Sequence, residues 1–454
     1  MYKRLCVLSV CLLLNISVTA QFSQAARDSI AKLTRLDFEH MKASMGIEIP
    51  NRPGPSGNPN DANAANTSEA GVKSYILPDL MVLKNGDEVT TEEDWSERRR
   101  ELFEEFDKEV YGHVPVNLPG INWVLQYEKD TVTGNYQVRE RLLYGIVDNS
   151  EFPETEVVIE LLLVTPSAVN QSVPVVLEFG FIRNPFGRQP EETNPLFSPG
   201  EPDWKEQVIS RNYGYAIINP YSIQADNGAG LRQGIIGLAN KGDFRKPSDW
   251  GALRAWAWGA SRALDYMEDD PYVDGSKVAI AGLSRFGKAA LVTMAYDNRF
   301  SLGFIGSSGA GGAKLLRRNF GEQVENLASS GEYHWFCGNF IKYASTLTVD
   351  DLPVDAHELI ALCAPRPVFV SAGSPHIEGG WVDARGMFEA AVAAAPAYLL
   401  LGRNGLGTSE FPPLGTPLVH GEIAFRQHAG GHSMGPNWST WLAWACKYWG
   451  ECAF

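Results

Sequence analysis

Residues 278–292 read Val-Ala-Ile-Ala-Gly-Leu-Ser-Arg-Phe-Gly-Lys-Ala-Ala-Leu-Val. A short apolar run, the right length for a strand, leads directly into Gly282-Leu283-Ser284. A helix-forming run follows from Arg285. Strand, Gly-x-Ser turn and helix in this order make a nucleophile elbow. Flanking glycines let neighbouring backbone approach so tight a turn. The serine then projects from the strand end, and the next helix presents unpaired N–H groups and a positive dipole end to an oxyanion. The usual second glycine would stand at position 286. Here that position is Phe286, and the glycine comes at Gly287. A plain strand-to-helix turn with a capping serine is the ordinary alternative.

Working outward, apolar runs alternate with helical ones. Glu156–Thr165, Pro174–Gly180, Gly214–Asn219, Val278–Gly282, Phe304–Ser307, Val368–Ala372 and Tyr398–Leu401 read as strands. Several are apolar throughout, as strands buried on both faces must be. Ala252–Met267 spaces Leu253, Trp256, Ala260, Leu264 and Met267 by three and four, a helix stripe facing a core. Trp256 and Trp258 are accordingly packing residues. Arg285–Tyr296, Phe388–Ala395 and Thr440–Trp449 read as further helices. The alternation predicts an α/β protein of the α/β-hydrolase type: a mostly parallel central sheet with helices on both faces, a three-layer sandwich.

The composition, 44% hydrophobic and 20% charged over 454 residues, excludes a disordered or collagen-like chain. The net charge of −15 argues against nucleic acid or an anionic membrane as a general partner. At the N-terminus, Lys3 and Arg4 precede an apolar run, Leu5–Leu14, and Val18-Thr19-Ala20 supplies small residues before Gln21. Residues 1–20 therefore read as an export signal, placing the mature chain outside the cell or in a periplasm, with no membrane association. Residues 21–71 read as an arm and polar linker, and 72–454 as the catalytic domain. Cys337, Cys363, Cys446 and Cys452 remain in the mature chain, and their pairing is open. No zinc-type spacing appears, so neither metal nor cofactor is expected. The mature protein is expected to be a monomer.

Among eight histidines, His432 stands in Ala429-Gly430-Gly431-His432-Ser433-Met434-Gly435, a glycine-bounded loop before the last helix. This fold places its general base there. His428 and His420 lie nearby as ordinary loop histidines.

Gly-Leu-Ser-Arg-Phe-Gly-Lys at the elbow together with Gly-Gly-His-Ser-Met-Gly resembles carbohydrate esterase family 15, the glucuronoyl esterases. The likeness continues through Ser307-Ser308-Gly309-Ala310-Gly311-Gly312, Glu332-Tyr333-His334-Trp335-Phe336 and Trp381. It implies hydrolysis of esters between (4-O-methyl)glucuronic acid of xylan and lignin-type alcohols. By position it implies Ser284 as nucleophile, His432 as base, and Arg285 as an oxyanion-stabilising side chain. Lys288, Glu332 and Trp381 would then bind the sugar. A sugar-binding glutamine has no clear counterpart, although Gln323 and Glu325 fall near its place.

The likeness breaks at the acid. Many family members carry Glu where Ser307 stands, and a serine cannot stabilise an imidazolium as a carboxylate does. The common hydrolase alternative is the loop after the following strand, here Ser374-Pro-His-Ile-Glu378-Gly-Gly-Trp381-Val-Asp383-Ala-Arg385. Glu378 is the choice and Asp383 the rival, the latter also readable as an ion-pair partner or helix cap. Two other functions compete. One is another exported acyl hydrolase, such as an acetyl or feruloyl esterase. The other is a carbohydrate-binding protein that has lost catalysis.

Overall fold

The computed structural model describes residues 24–169, 171–182 and 203–450. The expected export signal, and Cys452 among the cysteines, lie outside them. Nine strands form one sheet: β1 (Ile121–Thr133), β2 (Tyr136–Val147), β3 (Val158–Pro166), β4 (Val173–Phe179), β5 (Gly214–Ile218), β6 (Val273–Leu283), β7 (Leu302–Gly306), β8 (Val368–Ala372) and β9 (Ile423–Gln427). Their spatial order is β1-β2-β3-β5-β4-β6-β7-β8-β9. The β1/β2, β2/β3 and β3/β5 pairs are antiparallel. From β5 to β9 all neighbours are parallel. The six parallel strands thus end along one sheet edge, and the loops after β6, β8 and β9 meet there.

Successive residues of a strand face opposite ways. Val278, Ile280, Ile305, Val370 and Phe425 join Leu253, Trp256, Leu264 and Leu291 in one core. Ala279, Ala281, Phe304, Phe369 and Ala424 join Trp438, Trp441 and Trp444 in the other. Both sheet faces are covered, which is why the central strands carry no polar alternation.

The helix Arg285–Tyr296 has the bounds read from the sequence, and Ala252–Glu268 and Trp438–Trp449 differ from theirs by one or two residues. Phe388–Ala395 is corrected to Ala384–Ala393. The expected strand Tyr398–Leu401 is instead the end of a helix, Ala395–Leu400. Its Leu399 is exposed, unlike any residue of a strand buried on both faces. The run is Ala-rich, with Pro396 in the first turn, where its missing N–H does no harm. The last strand is Ile423–Gln427, too short and too polar in Arg426 and Gln427 to announce itself. β1 and β2 were not read from the sequence either.

Residues 51–71 run along the surface of the body. Arg52 donates to the carbonyls of Tyr343 (2.6 Å), Ser345 (2.8 Å) and Leu347 (2.8 Å) and pairs with Glu325. Asn66 donates to the Asn319 carbonyl (2.9 Å), and its own carbonyl accepts from Gly321 N–H (2.8 Å). Cys337 and Cys363 are buried free thiols, whereas Cys446 is disulfide-bonded. No helix among the described residues is long and apolar enough to cross a membrane.

Candidate active site

Ser284 joins β6 to the helix Arg285–Tyr296 with φ 60° and ψ −126°. Few non-glycine residues occupy this region, and the conformation persists only where the surroundings over-determine it. Two glycines do so here. A Cβ on Gly282 would lie 2.2 Å from the Phe286 carbonyl oxygen, and one on Gly287 would lie 2.6 Å from that of Gly306. The displaced second glycine therefore faces β7, while Phe286 turns its ring against Phe181, Tyr221 and Trp256. Ser284 N–H donates to the Gly306 carbonyl (2.8 Å), tying the elbow to the neighbouring strand.

His432 follows β9 and Glu378 follows β8, so both reach the edge at which Ser284 emerges. His432 Nδ1 and Glu378 Oε1 are 2.7 Å apart. An ionised carboxylate can only accept, so Nδ1 carries the proton and Nε2 is left as acceptor. The other carboxylate oxygen accepts from Gly373 N–H (2.6 Å). The Glu378 side chain is 2% exposed and that of His432 36%, a buried orienting group behind an accessible imidazole.

Asp383 is placed elsewhere. It caps the helix Ala384–Ala393 by accepting from Gly386 N–H (2.9 Å) and pairs with Arg318 Nε (3.2 Å). Burial raises its pKa, partly opposed by Lys314 and Arg318. Ser307 is buried in a left-handed conformation (φ 42°), and its hydroxyl has no hydrogen-bond partner among the described residues.

Lys288, one turn into the helix, is buried and donates to the Ser308 carbonyl (2.7 Å) and to Glu322 (3.3 Å). Glu332 lies beside this pair. Burial first, then the Glu322 charge, pushes its pKa up to about 7 against the opposing pull of Lys288 and Arg285. Trp381 is half-buried, and its carbonyl accepts from Glu322 N–H (3.1 Å). The sequence offers no clear counterpart for a sugar-binding glutamine, and of the two residues near its place Glu325 binds Arg52 and Gln323 caps a short helix. The neighbouring Glu322 is the one that joins Lys288. Only its proximity to those two residues could have signalled it.

Arg285 is half-exposed and paired with Asp226. Its guanidinium also lies 5.4 Å from the centroid of the Trp335 ring, and Lys288 Nζ lies 5.6 Å from it. No motif surrounds Asp226, so the sequence does not single it out, and Trp335 enters there only as part of the Glu332–Phe336 stretch. Among the described residues no cluster of three or more His, Cys, Asp or Glu side chains could hold a metal ion.

The family description "glucuronyl esterase, fungi" matches residues 242–402. The solved structure of a family 15 glucuronoyl esterase from Teredinibacter turnerae is 42% identical, with a TM-score of 0.84, covering 92% of this chain and all of its own. A glucuronoyl esterase from Solibacter usitatus is 32% identical with a TM-score of 0.73, covering 84% of this chain and 100% of its own. A carbohydrate esterase from an unknown prokaryotic organism is 33% identical over 408 residues, 84% of this chain and 91% of its own length.

Proposed function

The chain belongs to carbohydrate esterase family 15, the glucuronoyl esterases, and on that premise we propose that Ser284, His432 and Glu378 form a triad cleaving esters of (4-O-methyl)glucuronic acid. His432 Nε2 takes the Ser284 proton as Oγ attacks the ester carbonyl, and Glu378 stabilises the imidazolium. The tetrahedral oxyanion meets the first-turn N–H groups and the Arg285 guanidinium. Collapse expels the alcohol, which takes its proton from His432. Water then hydrolyses the acyl-enzyme by the same route in reverse. Lys288, Glu332 and Trp381 hold the uronate ring, with Glu322 bracing Lys288.

The observation that carries this reading is the Glu378–His432 contact at 2.7 Å, on the sheet edge where the strained Ser284 emerges. It supplies a carboxylate in place of the one Ser307 lacks. The substrate is a glucuronoxylan or lignin–carbohydrate ester. The enzyme works without metal as an exported monomer, with residues 1–20 as its export signal and 21–71 as an arm on a 72–454 catalytic domain. One chain carries every group the reaction needs.

The deciding assay compares benzyl glucuronate, methyl glucuronate and p-nitrophenyl acetate. Preference for the uronate esters is expected, as is loss of turnover in Ser284→Ala by at least ~10⁴-fold with the fold intact. Activity on acetate alone would move the chain to the general acyl esterases. Full activity of Ser284→Ala would remove the mechanism.

A further inference from the structure

Asp226 belongs to no catalytic motif, yet its carboxylate has every accepting position filled. Oδ1 accepts from His334 Nε2 (2.9 Å) and from Trp335 Nε1 (2.6 Å). Oδ2 accepts from the Tyr221 hydroxyl (2.9 Å) and from the Arg285 guanidinium. The side chain is only 6% exposed. Burial by itself would favour its neutral form. The bond to His334 and the charge of Arg285 outweigh that and hold the carboxyl well below the usual range. Since Asp226 accepts, His334 carries its proton on Nε2. Burial keeps that imidazole neutral, and its Nδ1 has no hydrogen-bond partner among the described residues.

A buried ionised carboxylate needs a reason to stay, because desolvating it is expensive. Arg285 supplies one. It is a long cation at a helix N-terminus, where the dipole opposes it, and its side chain is 44% exposed. Left alone it would be free to swing into solvent, since so long a side chain has many rotamers open to it. The contact with Asp226 engages one edge of a guanidinium that has five donors and leaves the others unused by that contact. The same carboxylate pins the Trp335 indole, whose ring lies near both Arg285 and Lys288. Tyr221, the elbow, and the loop bearing Glu332 therefore meet at this one side chain.

We infer that Asp226 is the positioning residue for Arg285, holding its guanidinium where the oxyanion develops. This rests on the esterase reading above. The competing account makes Asp226 a purely structural knot, and a double-mutant cycle separates the two. Asp226→Asn keeps the shape but turns amide hydrogens toward donors. It is expected to lower kcat on a glucuronate ester by about tenfold to a hundredfold, less than the ~10²–10³ that follows loss of an oxyanion donor outright. KM should change by less than kcat. In an Arg285→Ala background the same substitution is expected to cost less than about twofold, because the group it acts through is gone. Equal losses in both backgrounds would overturn the inference and leave the esterase reading standing. An Arg285→Ala enzyme with undiminished kcat would remove the oxyanion role of Arg285 and the inference with it. If Asp226→Asn does not fold, Trp335→Phe deletes one donor to the carboxylate while keeping a ring. Its kcat loss should likewise vanish without Arg285, and persistence of that loss would overturn the inference.

Discussion

At the scale of single residues, the site turns on which carboxylate His432 can reach. An imidazole base works only when one tautomer faces the nucleophile, and a carboxylate on Nδ1 enforces that. Glu378 makes this contact and is itself locked by the Gly373 N–H. Asp383, five residues on, spends its oxygens on a helix cap and a buried arginine. The two substitutions should therefore fail in different ways. Glu378→Gln is expected to reduce kcat by as much as ~10⁴-fold, with little change in unfolding midpoint. Asp383→Ala removes the helix cap and the buried partner of Arg318, which keeps only the more exposed Glu69 and Glu389, so it should destabilise the protein by about 1–3 kcal/mol while leaving kcat of the folded fraction within about twofold. Kinetics on a glucuronate ester beside denaturant unfolding checks both. The sequence narrowed the acid to these two residues and no further, since both are loop carboxylates of the same short segment. Chain order cannot say which of two neighbours points at a histidine arriving from another strand.

At the scale of elements, the elbow is the most legible part of the chain. Its strand, turn and helix are contiguous, so local pattern carries nearly all the information, and the helix Arg285–Tyr296 appears with the bounds read from sequence. The displaced glycine was legible as an oddity only. Its reason lies in β7, whose Gly306 carbonyl sits where a Gly287 side chain would begin. Gly287→Ala is expected to push β7 from the elbow. Overpacking of this kind costs about 1–3 kcal/mol, and turnover should fall at least about tenfold because Ser284 N–H loses its partner carbonyl. Wild-type kcat and unfolding midpoint in this variant would contradict the packing argument. The last two elements were the hardest to read. Tyr398 lies in an Ala-rich helix that an apolar run imitates, and Ile423–Gln427 is a strand mainly because β8 offers it an unpaired edge.

For the molecule as a whole, burial of the sugar-side carboxylates has a thermodynamic consequence. Glu332 is taken out of water by segments far apart in sequence and placed near Glu322, which raises its pKa from 4.5 to about 7. The native state thus binds a proton that the unfolded chain has already released between those values. A raised carboxyl pKa contributes stability that is fully present below about pH 4.5 and is lost as pH rises through about 7. Wild-type unfolding midpoints should accordingly decline from pH 5 to pH 7.5, and Glu332→Gln, which cannot titrate, should show a flatter profile over that window. Parallel profiles would mean that Glu332 does not hold the proton. The arm over residues 51–71 belongs to this scale too. Its composition suggested a linker or a surface strap. Arg52 binds it to the short helix Val324–Leu327 through Glu325, and Asn66 to the loop just before Glu322.

Sequence by itself pointed to the parts of the proposed reaction centre: Ser284 at a strand–helix elbow, His432 in a late glycine-bounded loop, and Arg285 and Lys288 on the first turn of the same helix. These are local patterns, set by residues within a few positions of one another. Tertiary structure alone decided that Glu378 rather than Asp383 meets His432, that Glu322 meets Lys288, and that Asp226 pairs with Arg285. Each of these pairings joins segments tens of residues apart. Parallel strands bring their C-terminal ends to one edge whatever the loops contain, so the choice among neighbouring loop carboxylates is made by backbone geometry and burial, which no local pattern encodes.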